Sequence, residues 1–188
     1  VLFGESTEVD KNIIEHISDP LMHIIRNSID HGIELPEKRL AAGKDETGTV
    51  RLSAENAGGE VVIRVTDDGA GLNKEKILAK ARANHLLTKP ETELTDKEIY
   101  SFIFAPGFST KEKVTEFSGR GVGMDVVVQN IKSLGGSVTV DSNPGAGSTT
   151  TIKIPLTLAI IQGMSLAVGK SRYTLPITAI RQSFRPDA

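Results

Sequence analysis

The chain has 188 residues, a formal net charge of −2 and no cysteine, with 38% hydrophobic and 24% charged residues. That length suits one well-packed domain with some chain to spare; the near-neutral charge supplies no field for nucleic acid or an anionic membrane, and the lack of thiols excludes a disulfide framework or a thiolate metal site. Apolar runs such as "LTLAII" fall far short of the roughly 18 residues that span a bilayer, and no Trp with only two Tyr and six Phe leaves little for base stacking, so we expect a soluble, cytoplasmic chain that binds no nucleic acid and inserts in no membrane.

The opening "VLFGESTEVD" begins on an apolar triplet with no start signal, as a piece of a longer protein would. Over residues 11–31, Ile14, Ile17, Leu21, Ile24, Ile25 and Ile29 recur at helical spacing, with Asp19 and Pro20 able to cap and restart or kink the helix. "GTVRLSAENAGGEVVIRVTDDGAG" alternates apolar and polar residues on either side of "NAGG", the pattern of an antiparallel hairpin. Residues 73–85 return to helical periodicity, opened by Asn73 as a cap. A long polar stretch, 86–123, holds one short apolar helix, "IYSFIF"; a loop this long inside a compact domain is functional or mobile. "MDVVVQNIKSLGG" then predicts a helix with a glycine stop, and "SVTVDSNPGAGSTTTIKIPL" a second hairpin. The sum is an α+β two-layer sandwich, with a mostly antiparallel sheet and helices on one face. Beyond Pro155 the pattern changes to a linker and two further strands, too short to bury a core of their own.

Three constellations carry chemistry. On the first helix, His23, Asn27, Asp30 and His31 lie opposite the apolar arc. That face is either an unusual solvated one or a site in which Asn27, a neutral oxygen ligand, holds a hard cation such as Mg²⁺, joined by His23 one turn away. In "VTDDGAG", Asp67 either caps the next helix or, if buried, is an acceptor-only carboxylate suited to an exocyclic amino donor, with Gly69 and Gly71 admitting a ring close to backbone. In "GRGVGMD", Gly119, Gly121 and Gly123 open a helix whose bare N–H groups can cradle phosphate. The spacing is not that of a dinucleotide fold, and a polar segment precedes it instead of a buried strand. "VGKS" at 168–171 is no P-loop, because Met164 stands where the first glycine belongs, and Lys170 reads as a turn residue. His16 and His85 read as surface residues, and neither a Ser/His/Asp order nor an H-E-x-x-H pattern occurs.

Asn on a helix, then D-x-G-x-G, then G-x-G-x-G opening a helix: in that order the three resemble the N, G1 and G2 boxes of the GHKL ATPase and kinase superfamily. "FAPGFSTKEK" resembles the F box of histidine kinases, and together with "HIIRNSIDHGIE" and "SGRGVGMDVV" it is similar to the ATP-binding catalytic domain of chemotaxis histidine kinases over about residues 1–155. The resemblance implies the Bergerat ATP-binding fold, ATP with Mg²⁺ as ligand and cofactor, and transfer of the γ-phosphate to a histidine on a separate phosphotransfer domain. It places Mg²⁺ on Asn27 with His23, the phosphate end by Arg26 and His31, adenine on Asp67 beside Gly69 and Gly71, and ribose or phosphates within reach of Lys76 and Lys80. His23, Asn27 and His31 are the implied catalytic positions. Gly119, Gly121 and Gly123 would form the lid over the triphosphate, and Phe104 and Phe108 bracket a loop with Ser109 and Lys111 near its tip. Ser148 departs from the Thr of many relatives but keeps a hydroxyl for a water bridge to Asp67.

"PLTLAIIQGM" matches the junction to a CheW-like regulatory domain, so 156–188 is expected to be its truncated start. Through it the resemblance implies a receptor-coupling adaptor and chemoreceptors as partners, with homodimerisation through a domain outside this chain. A rival within the superfamily is an ATP-operated clamp; those hydrolyse with a Glu upstream of the Asn, and here the residue four before Asn27 is His23. A non-enzymatic rival is a nucleotide-sensing scaffold of a receptor array.

Overall fold

The computed structural model describes residues 1–4, 11–108, 123–156, 163–169, 171–176 and 180, and the chain divides into two compact units, Val1–Leu156 and Thr157–Ala188. In the first unit a five-stranded sheet is built from β1 (Leu2–Phe3), β2 (Val50–Ala57), β3 (Glu60–Asp67), β4 (Ser137–Asn143) and β5 (Gly147–Pro155), in the order β1-β2-β3-β5-β4. The helices are α1 (Lys11–Asn27), α2 (Pro36–Ala41), α3 (Lys74–Ala83), α4 (Asp96–Ser101) and α5 (Met124–Ser133). Both predicted hairpins form, β2–β3 around Gly58 and Gly59 with positive φ of 61° and 82°, and β4–β5 around "PGA". β1, which the sequence pattern did not announce, pairs parallel to β2 and makes the sheet mixed.

Strand alternation places the core. Val61, Ile63 and Val65 of β3 and Ile152 and Ile154 of β5 share one face, on which Ile17 and Ile24 of α1 and Val127 and Ile131 of α5 pack. The opposite face carries polar pairs, Arg64 to Glu55 at 2.6 Å and the Thr66 and Thr149 hydroxyls at 3.1 Å. By the same period of two, Asp67 falls on the apolar, helix-covered face. A second cluster, Ile77, Ala81, Ile99, Tyr100, Phe108 and Val140, joins α3, α4 and the segment after α4 to β4.

Several expectations are corrected at element ends. The first helix runs α-helically through Pro20 without restarting there and gives way after Asn27 to a π turn over Ser28–Gly32, closed by the Ile33 N–H on the Ser28 carbonyl at 2.8 Å. Ile13, Leu21 and Ile25 flank the core, whereas Ile14 and Ile29 are about half exposed, because the buried arc centres on Ile17 and Ile24 and the π turn swings Ile29 outward. Asn73 does cap α3, accepting from the Lys76 N–H at 2.8 Å, but that helix stops at Ala83. His85, with φ 54°, ends it in the left-handed conformation, and the Leu86 N–H closes on the Ala81 carbonyl at 2.9 Å. The short helix of the 86–123 stretch starts earlier than its apolar run, at Asp96, because Thr95 and Glu98 form a reciprocal capping box. α2, entered through Pro36, went unforeseen.

In the second cluster Tyr100 is 2% exposed and its hydroxyl has no hydrogen-bond partner among the described residues. An unpaired buried hydroxyl costs about 1–2 kcal/mol, so Tyr100→Phe is expected to raise the melting temperature by roughly 2–8 °C. A thermal melt followed by circular dichroism checks this; a lower melting point would mean that the hydroxyl has a partner.

The second unit contains β6 (Gly163–Val168) and β7 (Ser171–Pro176), paired antiparallel from Gly163↔Pro176 to Val168↔Ser171, the two strands expected there. No described helix is long and apolar enough to cross a membrane.

Candidate functional site

Asp67 is the end residue of β3 and 3% exposed, a carboxylate at a register position that Val61, Ile63 and Val65 occupy with hydrocarbon. Both of its oxygens are filled by donors. Oδ1 accepts from the backbone N–H groups of Gly69 (3.1 Å) and Ser148 (3.2 Å), and Oδ2 from the hydroxyls of Ser28 (3.1 Å) and Ser148 (2.7 Å). Ser148 is the cross-strand partner of Asp67 in the β3–β5 ladder, so its N–H and hydroxyl reach the carboxylate together. The hydroxyl that Ser148 keeps in place of Thr thus bonds the carboxylate directly.

Glycine is required where backbone replaces side chain around this carboxylate. A Cβ on Gly69 would collide with the carbonyl of Gly32, which also accepts the Ala70 N–H at 2.8 Å. Gly71, at φ 72°, lies against the Asn143 carbonyl, and the Gly145 N–H donates to the Ala70 carbonyl at 2.8 Å. The loop after Asp67 is therefore held between the π turn and the β4–β5 turn. Gly32 lets its backbone pack close against the carboxylate, since a Cβ there would lie 3.3 Å from the Asp67 carboxyl atoms.

Asn27, the last α-helical residue before Ser28, stands beside the start of α5. Its Nδ2 lies 3.1 Å from the Met124 Sδ, and its carbonyl oxygen accepts no hydrogen bond among the described residues. Gly123 is the residue that opens α5, and a Cβ there would strike the carboxylate of Asp125 in the first turn. His23, half-buried one turn before Asn27, is held below its ordinary pKa of 6.5 by burial and by the Arg26 charge, against an opposing pull from Asp125. The imidazole is neutral near pH 7, as a metal ligand or proton acceptor must be.

An NMR titration of the chain should therefore place the His23 pKa below 6.5, and lower still in Asp125→Asn. A depressed histidine favours folding fully above the unfolded value of 6.5, and that contribution is lost as pH falls from 6.5 through the folded pKa. A His23 titration at or above 6.5 would refute the assignment of burial and Arg26 as the governing terms.

The structure thus brings Asp67, Gly69 and Gly71 together with Ser28, next to Asn27, and sets Asn27 and His23 against the α5 start with Gly123 and Asp125. Arg26, His31 and the Lys76 side chain are exposed and make no hydrogen bond to Asp67 or Asn27 among the described residues. Lys80 packs its ammonium 5.5 Å from the centroid of the buried Phe108 ring, in the cluster that also receives Phe104. His16 and His85 are exposed, as expected. Ser109, Lys111, Gly119 and Gly121, and likewise Lys170, lie outside the described residues. Ser28, Asp125, Arg39 and Lys44 were not singled out from the sequence. Ser28, adjacent to Asn27, and Asp125, the last residue of "GRGVGMD", are the two that a motif marks.

Residues 16–158 match the family described as histidine kinase-, DNA gyrase B- and HSP90-like ATPases. The chain is 55% identical over 185 residues to the chemotaxis protein CheA of Salmonella typhimurium, covering 98% of this chain and 27% of that protein. It is 47% identical over 186 residues to the sensor histidine kinase CheAY of Helicobacter pylori, covering 98% of this chain and 23% of that one. The chain thus spans about a quarter of the length of these curated relatives. Among solved structures, the nucleotide-free catalytic domain of the histidine kinase ThkA overlays with a TM-score of 0.50 at 19% identity, covering 83% of this chain and 77% of that one, a likeness of fold.

Proposed function

The chain belongs to the family of histidine kinase-, DNA gyrase B- and HSP90-like ATPases, and from that premise we propose that residues 1–155 are an ATP-binding catalytic domain that presents the γ-phosphate of Mg-ATP to a histidine on a separate phosphotransfer domain. The observation that carries this is Asp67, a buried carboxylate on the core face of β3, adjoining the Asn27 end of α1, whose side-chain amide oxygen accepts no hydrogen bond among the described residues. The residues suit the ligand. Two of the four donors on Asp67 are hydroxyls, free to rotate away from Oδ2 and leave it for an exocyclic amino group.

Asn27, with neutral His23 beside it, would hold Mg²⁺; the metal supplies charge neutralisation on the phosphates. Asp67 anchors the base and so sets the distance from adenine to the start of α5, whose N-terminal backbone would face phosphate. Arg26, His31, Lys76 and Lys80 are the cations and proton-bearing groups assigned to the phosphate and ribose side. Gly119 and Gly121, with Ser109 and Lys111, would complete the enclosure that excludes water and favours transfer over hydrolysis. No residue is assigned as a general base, since the acceptor imidazole is itself the nucleophile.

The relatives named as chemotaxis proteins support a place in two-component chemotaxis signalling in the cytoplasm. On that reading 156–188 begins a CheW-like regulatory domain that couples to an adaptor and to chemoreceptors, and dimerisation lies outside this chain. Calorimetric titration with ATP, with and without Mg²⁺, tests the core of the reading. Metal-dependent binding is expected in the wild type, with loss of the metal dependence in Asn27→Ala, followed by phosphate transfer to a supplied histidine phosphotransfer domain. A folded chain that binds no nucleotide would instead favour a scaffold.

A further inference from the structure

Residues 35–49, between the end of "HIIRNSIDHGIE" and β2, lie outside every motif that the nucleotide reading uses, yet they carry a buried arginine. Arg39 is 1% exposed and uses all three guanidinium nitrogens. Nε donates to the Asp45 carbonyl at 2.7 Å. Nη1 donates to Glu34 Oε2 and to the carbonyl and Oδ1 of Asp68, each at 3.2 Å, and Nη2 to Asp68 Oδ2 at 2.9 Å and the Thr47 carbonyl at 3.5 Å. Lys44 Nζ donates to Glu34 Oε1 at 2.8 Å and to the carbonyls of Asp68 at 2.9 Å and Gly69 at 2.7 Å. The Thr49 N–H adds a bond to Asp68 Oδ1 at 2.8 Å, and the charges of Glu34 and Asp68 balance those of Arg39 and Lys44.

Lys44 spends all three ammonium donors inside this network and Arg39 engages every nitrogen, so the cluster is not an anion site in waiting. What it grips is backbone. The carbonyls of Asp68 and Gly69 follow directly on Asp67, and the Gly69 N–H is one of the two that fix Asp67 Oδ1. Fold stability is a poor reason for such a cluster, because buried ion networks replaced by apolar groups of similar volume are often no less stable. A carboxylate that must meet an amino group at one place is a better reason, since a hydrogen bond needs its heavy atoms within about 2.7–3.2 Å and weakens steeply once the angle at hydrogen falls below about 120°.

We propose that Arg39 and Lys44 are positioning residues that hold Asp67, through Asp68 and Gly69, in the orientation that selects a 6-amino purine, without touching the nucleotide themselves. The proposal rests on the nucleotide reading given above. Its test is selectivity, which a merely structural role would leave alone: calorimetric affinities of the 188-residue chain for ATP and for purine riboside triphosphate, the same molecule without the amino group. Wild type should prefer ATP by about tenfold or more, the range of a hydrogen bond to a charged group. In Arg39→Met and Lys44→Met that preference should fall below about threefold, with affinity for purine riboside triphosphate within about twofold of wild type. Arg39→Lys, which keeps the charge but not the planar fork, should recover only part of the preference.

Full wild-type preference in the folded variants, or equal weakening toward both nucleotides, overturns the proposal and leaves the nucleotide reading standing. A wild-type chain that binds neither nucleotide, or binds both without preference, removes the reading of Asp67 and the proposal with it. If Arg39→Met fails to fold, Lys44→Met decides, because its side chain is 17% exposed and its loss leaves Arg39 on Asp68.

Discussion

Asp67→Asn is expected to weaken ATP binding by about 30-fold or more while leaving the fold nearly intact, and the two effects separate for a reason visible in the donors. Both groups on Oδ1 are backbone N–H, which can only donate, whereas both on Oδ2 are serine hydroxyls, which can turn and accept. An asparagine that keeps its oxygen at Oδ1 and places its NH₂ at Oδ2 therefore finds partners in Ser28 and Ser148, so the protein should melt within a few degrees of wild type. The same NH₂ meets an amino group donor to donor, and a charge-assisted bond of about 1.5–3 kcal/mol becomes a repulsion. Calorimetry paired with a thermal melt checks this. Binding lost only in proportion to unfolding would mean that Asp67 is a structural carboxylate, and unchanged binding would remove it from the site altogether.

Gly147→Ala should cost about 3 kcal/mol or more, against about 1 kcal/mol for Gly58→Ala. Both glycines sit at positive φ, 106° and 61°, so both substitutions pay the left-handed backbone penalty. They differ in surroundings. A Cβ on Gly58 meets nothing within 4 Å, whereas one on Gly147 lands on the carbonyl of Asp67 and 3.0 Å from the Asp68 Cα. Relief of that collision must push the end of β3 away from β5, and the Asp67–Ser148 pair goes with it. Urea unfolding should show the stability gap, and ATP affinity should fall in Gly147→Ala but not in Gly58→Ala. Equal costs would mean that the β4–β5 turn yields without moving Asp67.

Much of this was legible along the chain because it is local. The β2–β3 turn is written in two adjacent glycines, and the start of α3 in the reach of Asn73 to Lys76. The candidate site shows itself as a conflict in one strand: Val61, Ile63 and Val65 predict a core face, and Asp67 continues that face with a charge, which a merely structural strand has no use for. On the first helix the pattern stays amphipathic, and the signal is that its polar face carries His23, Asn27, Asp30 and His31.

What the chain pattern did not carry depends on partners distant in sequence. That Asp67 is satisfied by Ser148, 81 residues on, follows from β3–β5 register, and that Ser28 joins them follows from a π turn that no residue preference marks. Arg39 reads as one more surface cation in "PEKRLAAGK"; it is buried because Glu34, Asp68 and three backbone carbonyls converge on it, and a guanidinium is tolerated inside only when its donors are filled in that way. By itself the sequence determined the longer helices, the two hairpins and their apolar faces, though not β1, α2 or the π turn, since turn chemistry and hydrophobic periodicity act over a few residues. Tertiary structure alone decided which polar groups meet, because a buried charge takes its partners from wherever the closed chain supplies a donor.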